Sequence, residues 1–287
     1  GVGDGIRGLV VLPDDRIVAA GAAGPDSAIV RYRADGSLDP TFGTRGVVLT
    51  RAGLADHFFD LAVDRVGRYV AVGTANSDFL VARYDANGEP DESFADHGRA
   101  TTGFDAGQSD LAFHVELDDD GAIIAAGETG AVDPVGFTAS RFALARYRPD
   151  GTLDTQFGRG GKVATDIASG PGAAADGIRG AVLRAGKLTV AGFCGEAHGI
   201  TSFLDPLVGQ FCVARYDAVS GRLDSGFGSG GVIVIDFPGG GAGARAIVMA
   251  PSGALTVVGG AAAPTTLAFA IARYPREGTQ TTGAGGT

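Results

Sequence analysis

A segment ending in Arg-Tyr recurs five times along the chain, as SAIVRY (27–32), FLVARY (79–84), FALARY (142–147), FCVARY (211–216) and FAIARY (269–274). Its arginines, Arg31, Arg83, Arg146, Arg215 and Arg273, stand at intervals of 52, 63, 69 and 58 residues. A period of that kind restricts the fold severely, because each unit is one supersecondary element whose apolar faces are buried only against its neighbours.

Within the period the same order of features returns. Ahead of each Arg-Tyr segment lies an apolar run ending in glycine: RIVAAG (16–21), RYVAVG (68–73), AIIAAG (122–127), KLTVAG (187–192) and ALTVVG (254–259). A further apolar run precedes that one, such as GLVVL (8–12) or AIVMA (246–250). After Arg-Tyr come a turn signal, such as Asp35-Gly36 or Asn87-Gly88, and then SLDPTFG (37–43), EPDESFA (89–95), TLDTQFG (152–158) or RLDSGFG (222–228). A last short run follows, as in GVVLT (46–50) and GVIVI (231–235). Each copy therefore reads as strand A, turn, strand B, loop, strand C, turn, Leu-Asp-x-x-Phe element, strand D. No 3.6-residue apolar period persists, so strands are favoured over helices. The excess of glycine, 49 residues, belongs to many tight turns. The central runs do not alternate apolar and polar residues, so both faces are expected to be buried, as in sheets stacked face to face.

The expected fold is all-β: a β-propeller of four-stranded antiparallel blades with five repeats, either a closed five-bladed ring or a fragment of a larger propeller. A parallel β-helix competes, but its rungs are usually shorter than these units. The repeats span about 4–50, 56–102, 110–165, 176–235 and 242–278 in a single domain, 1–278, followed by a flexible C-terminal tail, 279–287. The fifth copy lacks the Leu-Asp-x-x-Phe element and strand D. A chain that opens GVGDGIRG, without initiator methionine or signal-peptide pattern, is expected to be a processed form or a piece of a longer protein.

The combined block, Arg-Tyr, Asp-Gly turn, Leu-Asp-x-x-Phe-Gly and a following Gly-Val-Val strand, resembles the delta-60 repeat family over roughly residues 4–278. The resemblance implies a β-propeller-like fold in bacterial, often secreted or surface, proteins, and implies no particular activity.

Residues present in every copy are expected to serve the framework. Arg31, Arg83, Arg146 and Arg215 each precede Asp39, Asp91, Asp154 and Asp224 by eight or nine residues, a spacing that suits an ion pair tying the chain back to strand C. Arg273 has no such aspartate after it. Phe42, Phe94, Phe157 and Phe227 are read as plugs between blades. A second set, Asp4, Asp56, Asp110 and Asp176, stands just before strand A, with Ala242 in the fifth copy. These carboxylates either accept backbone hydrogen bonds at a turn or ring a channel mouth as oxygen ligands for Ca²⁺. Cys194 and Cys212 flank a long B–C insert, and read equally as a disulfide or as two buried thiols.

No HxxxH or HExxH pair, nucleophile elbow, phosphate-binding loop or CxxC is present, and the four histidines (His57, His97, His114, His198) lie far apart. His57 and His114 both fall near the start of strand A in neighbouring copies. A net charge of −10 without a basic stretch argues against nucleic acid as partner. No apolar run reaches a membrane span. Scarce lysine, Lys162 and Lys187 alone, suits a GC-rich bacterial genome.

The function expected from these features is a non-catalytic binding or scaffold module of a secreted or cell-surface bacterial protein. It is expected to carry no cofactor, to take an unknown protein or glycan ligand, and to act as a monomer or as part of a longer repeat array. Its binding surface is expected among the B–C insertions at 128–141 and 193–210. The alternatives are a metal-assisted hydrolase or lyase with its site in the central channel, and a purely structural spacer.

Overall fold

The structure is a computed structural model that describes residues 4–53, 56–133, 136–167, 175–195, 209–237, 241–262 and 267–275. Every regular element among them is a β-strand. The first sheet contains β1 (Gly5–Val11), β2 (Ile17–Ala23), β3 (Asp26–Tyr32) and β4 (Val47–Thr50), hydrogen-bonded in that order. The second repeats the arrangement with β5 (His57–Val63), β6 (Tyr69–Ala75), β7 (Asp78–Tyr84) and β8 (Arg99–Thr102). The third holds β9 (Ser109–Leu117), β10 (Ile123–Asp133), β11 (Gly136–Tyr147) and β12 (Lys162–Thr165). In the fourth are β13 (Gly177–Arg184), β14 (Lys187–Cys194), β15 (Gln210–Asp217) and β16 (Val232–Ile235). The fifth is three-stranded among the described residues, with β17 (Ala242–Met249), β18 (Leu255–Ala262) and β19 (Leu267–Tyr274).

The chain divides into two compact units. One comprises Gly1–Ala106, Asp110–Ala125 and Ala145–Asp154, the other Gly107–Ser109, Ala126–Leu144 and Thr155–Thr287. In the first unit, Val18, Ala20, Ile29 and Phe42 of the first sheet form one core with Phe58, Leu61, Tyr69, Ala71 and Leu80 of the second. All seven residues of β6 are buried, so this strand has no wet face and its sequence has no reason to alternate. In the second unit, Phe211, Val213 and Phe227 of the fourth sheet pack with Ala242, Ala244, Ile247, Leu255 and Val257 of the fifth. Each fully buried aromatic or branched side chain stabilises the fold by about 1.5–3 kcal/mol.

Two glycine positions show why the repeat is strict. In four of the copies the glycine of strand B faces the carbonyl of strand A: a Cβ on Gly73 would lie 1.7 Å from the His57 oxygen, and the same clash recurs at Gly21, Gly192 and Gly259. Gly88, in the turn after β7, has φ +90° and would meet the Phe42 ring. The β6–β7 hairpin, by contrast, places Asn76 and Ser77 at φ +51° and +69° in a two-residue turn of the kind that matches strand twist.

The segment after strand C wraps around the buried arginine. Asp39 N–H donates to the Arg31 carbonyl, and Arg31 N–H to that of Gly46, both at 2.9 Å. Arg31 Nε donates to Asp39 Oδ2 at 2.8 Å, its Nη1 to the Ala86 carbonyl at 2.6 Å, and its guanidinium lies 4.7 Å from the Phe42 ring centroid. The hydroxyl and N–H of Thr41, together with the Arg31 charge, hold the Asp39 carboxyl down at about 2 despite burial. Arg83 repeats the pattern with Asp91 Oδ2 (2.8 Å), the Pro149 carbonyl (2.6 Å) and Phe94. Arg146 pairs with Asp154 at 3.0 Å and also with Asp118 at 2.6 Å. Arg215 pairs with Asp224 at 2.9 Å and lies over Phe227. Phe157 is fully buried at the same position of the third repeat, and Arg273 is exposed.

A hydroxyl bond joins each successive pair among the first four sheets. The hydroxyl of Tyr84 meets Thr50, that of Tyr147 meets Thr102 at 2.8 Å, and that of Tyr216 meets Thr165 at 3.0 Å. Burial pushes the Tyr84 phenol up to about 12, and those of Tyr147 and Tyr216 upward as well. Cys194 of β14 and Cys212 of β15 are joined by a disulfide within the fourth sheet.

One expectation needs correction. Residues 128–141 are not a surface loop: β10 runs on to Asp133 and β11 begins at Gly136. In the other copies strand B runs two or three residues past its glycine, but here it runs six residues past Gly127, with Glu128 and Thr129 buried. The 193–210 insertion is described only at Phe193, Cys194, Gly195, Gly209 and Gln210.

Removing the carboxylate from a buried pair leaves an uncompensated charge. Asp39→Ala is expected to cost about 3–5 kcal/mol in chemical denaturation. Asp224→Ala should cost clearly less, because the Arg215 side chain is 17% exposed against 3% for Arg31. Equal losses for the two variants would refute this account.

Candidate functional site

The aspartates before strand A hold backbone. Asp4 Oδ1 accepts from Gly24 N–H at 2.8 Å. Asp56 Oδ2 accepts from Ala52 and from Gly53, the latter at 2.7 Å. Asp110 Oδ2 accepts from Phe104 at 2.8 Å, and Asp176 Oδ2 from Ile167 at 2.7 Å. Asp56, Asp110 and Asp176 are fully buried, while Asp4 is exposed. Among the described residues no group of three or more His, Cys, Asp or Glu side chains is placed to hold a metal ion.

Three residues beyond these aspartates, strand A breaks its register against strand B. The shift falls between Ile6 and Gly8, Phe58 and Asp60, Ile178 and Gly180, and Ala244 and Ala246. The residue left out of the ladder is Arg7, Phe59, Arg179 or Arg245, and Phe113 occupies the same position in the third repeat. A bulge bends the strand and re-aims one side chain, which is why bulges gather beside binding sites.

In the first unit the residues at this position form a row. Arg7 carries its guanidinium 5.6 Å from the Phe59 ring centroid, and Phe59 meets Phe113 at 4.7 Å. His57 flanks Phe59 at 6.4 Å, and burial together with the Arg7 charge pushes its imidazole pKa down. Both phenylalanines remain partly exposed, unlike the plug phenylalanines of the core.

Beside this row, His114 stands between two carboxylates. Its Nδ1 lies 3.0 Å from Asp60 Oδ2 and its Nε2 3.2 Å from Glu116 Oε1, and Asp60 also accepts from Val115 N–H at 3.1 Å. Burial opposes charge on the ring, but the hydrogen bonds and charges of Asp60 and Glu116 outweigh it and raise the pKa to about 9. His114 is therefore an imidazolium at neutral pH. Both ring nitrogens are committed as donors, an arrangement that fixes charge and orientation and leaves no nitrogen lone pair for a general base.

The second unit shows a different set. Arg179 Nη1 pairs with Glu128 Oε2 at 3.0 Å, its guanidinium lies 4.8 Å from the Phe193 ring centroid, and both charged side chains are nearly inaccessible. Burial and the Arg179 charge lower the pKa of Arg245. Two further clefts lie at the A–B turns, one within each unit. One, about 280 Å³, is bordered by Arg65, Arg68 and Asp118–Gly121, and the other, about 500 Å³, by Arg184, Lys187, Asp224 and Pro251–Gly253. His97 is exposed beside Glu92, and His198 lies outside the described residues.

The family model described as "Domain of unknown function (DUF5122) beta-propeller" matches residues 12–42, 67–94 and 119–157. Each match starts at or within the A–B turn and ends on the plug phenylalanine, so it covers the part of the unit that holds the Arg–Asp pair. These are β-propeller repeats. No curated protein matches the chain. Among solved structures, a virginiamycin B lyase from Staphylococcus aureus is 12% identical over 94% of this chain and 84% of its own, with TM-score 0.40. Drosophila Plexin A, solved in complex with Semaphorin 1b, is 12% identical over 95% of this chain, with TM-score 0.45, and this chain spans about half of it (52%). A GH43 endo-arabinanase from Bacillus licheniformis is 11% identical over 93% of this chain and 92% of its own, with TM-score 0.41.

In these propeller repeats the shared columns, Arg, Asp, Phe and the strand-A aspartate, all fold into backbone or core contacts. Asp60, Glu116, Phe59 and Phe113 were not singled out by motif, yet a signal existed: they occupy columns of strand A that differ from copy to copy. His114 is expected to make stability depend on pH. Its folded pKa is raised, so its contribution is complete below about 6.5 and is lost as pH rises through about 9. Wild type should lose up to about 3 kcal/mol more than His114→Asn over that range in paired urea titrations. Parallel pH profiles would contradict the assignment.

Proposed function

We propose that the chain is a non-catalytic binding module of a secreted or cell-surface bacterial protein, and that the row Arg7, Phe59 and Phe113 is its contact surface for a glycan. The observation that carries this reading is the pair of partly exposed phenylalanine rings at 4.7 Å, edged by a guanidinium and by the Asp60–His114–Glu116 network. A sugar ring presents an apolar C–H face that suits an aromatic shelf, while its hydroxyls and any carboxylate suit fixed charges at the rim. Ligand sites commonly combine an apolar floor with a few oriented polar groups, and here Asp60, His114 and Glu116 orient one another. The Cys194–Cys212 disulfide supports an oxidising compartment, since cytosolic proteins rarely keep such bridges. No resident cofactor enters this reading.

The test is an oligosaccharide array followed by calorimetry on the best ligand. Phe59→Ala and Phe113→Ala should each weaken binding about tenfold, an effect of the size expected for one lost ring contact. Their melting temperatures should change little. Affinity unaltered in both variants would sink the assignment, and release of shortened glycan products would favour the hydrolase or lyase reading instead.

A further inference from the structure

We propose that the cleft of about 500 Å³ in the second unit binds an oxyanion, the phosphate, sulfate or carboxylate group of a small acidic ligand. The two A–B turn clefts occupy the same place in the repeat. One lies where the A–B hairpin of the second sheet meets the A–B turn of the third, the other where the same parts of the fourth and fifth sheets meet. Counted from the glycine of strand B, Arg184 corresponds to Arg65, Lys187 to Arg68 and Thr189 to Val70. The first cleft is walled by the third sheet, in the middle of the chain, so a cleft of this kind belongs to the joint between successive sheets.

Charge separates the two clefts. The first is lined by three arginines, Arg65, Arg68 and Arg83, against four aspartates. There Arg65 meets the Asp119 carboxylate, and Arg68 Nε meets Asp64 at 2.6 Å. In the second cleft the cations persist as Arg184, Lys187 and Arg215, but the aspartates do not. Asp64, Asp118, Asp119 and Asp120 correspond to Leu183, Ala250, Pro251 and Ser252, and Asp224 is the single carboxylate among the described lining residues. Arg184 donates to the Ala250 carbonyl at 2.7 Å and to that of Pro251 at 2.9 Å. These neutral acceptors orient the guanidinium without cancelling its charge. Lys187 Nζ stands 3.5 Å from Asp217 and 3.6 Å from Asp224, and Asp224 is shared with Arg215 at 2.9 Å. Three cations around one lining carboxylate, in a protein of net charge −10, favour an anionic occupant.

A buried hydroxyl points the same way independently. Thr189 lines the cleft and is fully buried, and its Oγ1 has no hydrogen-bond partner among the described residues. It pairs with Arg215 across the ladder and stands two residues from Lys187, so all three side chains belong to one face of the sheet. A buried hydroxyl left unpaired costs stability, a cost that Val70 avoids at the same position of the first cleft. An oxyanion supplies the acceptor that Oγ1 lacks, beside the N–H donors of Arg184 and Lys187, whereas a metal cation would meet three like charges.

Calorimetric titration of the chain with inorganic phosphate, sulfate and glucuronate, in chloride at constant ionic strength, tests the proposal. At least one should bind saturably at one site per chain. Phosphate or sulfate alone identifies a tetrahedral group, and glucuronate a carboxylated sugar. Pro251→Asp, on an exposed turn, restores the carboxylate that meets the arginine in the first cleft. It should abolish binding with unchanged circular dichroism and melting. Thr189→Val should weaken binding about tenfold, the loss of one hydrogen bond to a charged group, while folding at least as stably as wild type. Phe59→Ala, in the other unit, should leave binding unchanged. No saturable binding of any of the three anions, affinity unaltered in either cleft variant, or binding lost in Phe59→Ala would each overturn the proposal.

Discussion

The framework depends on one charged contact placed where solvent cannot reach it. Arg31 is almost fully buried, and its guanidinium is shared between the Asp39 carboxylate, the Thr41 hydroxyl, the Ala86 carbonyl and the face of Phe42. A buried cation is tolerable only when its donors are used, and here they reach in three directions. The first holds the chain that follows strand C, the second reaches the next sheet, and the third fixes the aromatic ring that fills the space between the two sheets. Strand pairing alone makes flat meanders, whereas this contact makes meanders that stack.

The consequences extend outward from it. Asp39 accepts from Thr41 as well as from Arg31, so the Leu-Asp-x-x-Phe turn is tied at both ends of its carboxylate, and Phe42 enters the core beside it. Gly88 must then be glycine, since the ring occupies the space a Cβ would need. Tyr84, Tyr147 and Tyr216, each following its arginine, turn their hydroxyls toward the threonine at the end of the preceding strand D, as Tyr147 does with Thr102. Strand A, bound on one side only, is the strand free to carry an extra residue.

Much of this could be read from the amino-acid order, because repetition exposes the framework. Arg31, Asp39 and Phe42 recur in register, and the structure places them in one contact. The glycine closing strand B also recurs, and it lies against the strand-A carbonyl. Analogy between copies misled where one copy departs: strand B ends two or three residues past its glycine in the other copies, yet β10 runs on to Asp133, six residues past Gly127. The Arg7–Phe59–Phe113 row was hidden for the opposite reason. Its members share a position without sharing a residue type, so a search for identity passes over them, and only the bulge shows that the position is special.

That bulge bears on how such a chain changes over time. A residue standing outside the ladder contributes no cross-strand pair, so arginine, phenylalanine and arginine again are accepted at one position without disturbing the backbone. Mutation can therefore sample chemistry at each repeat separately while the load is carried elsewhere. The four such positions among the described residues amount to a short combinatorial alphabet, and duplicating a unit adds a letter.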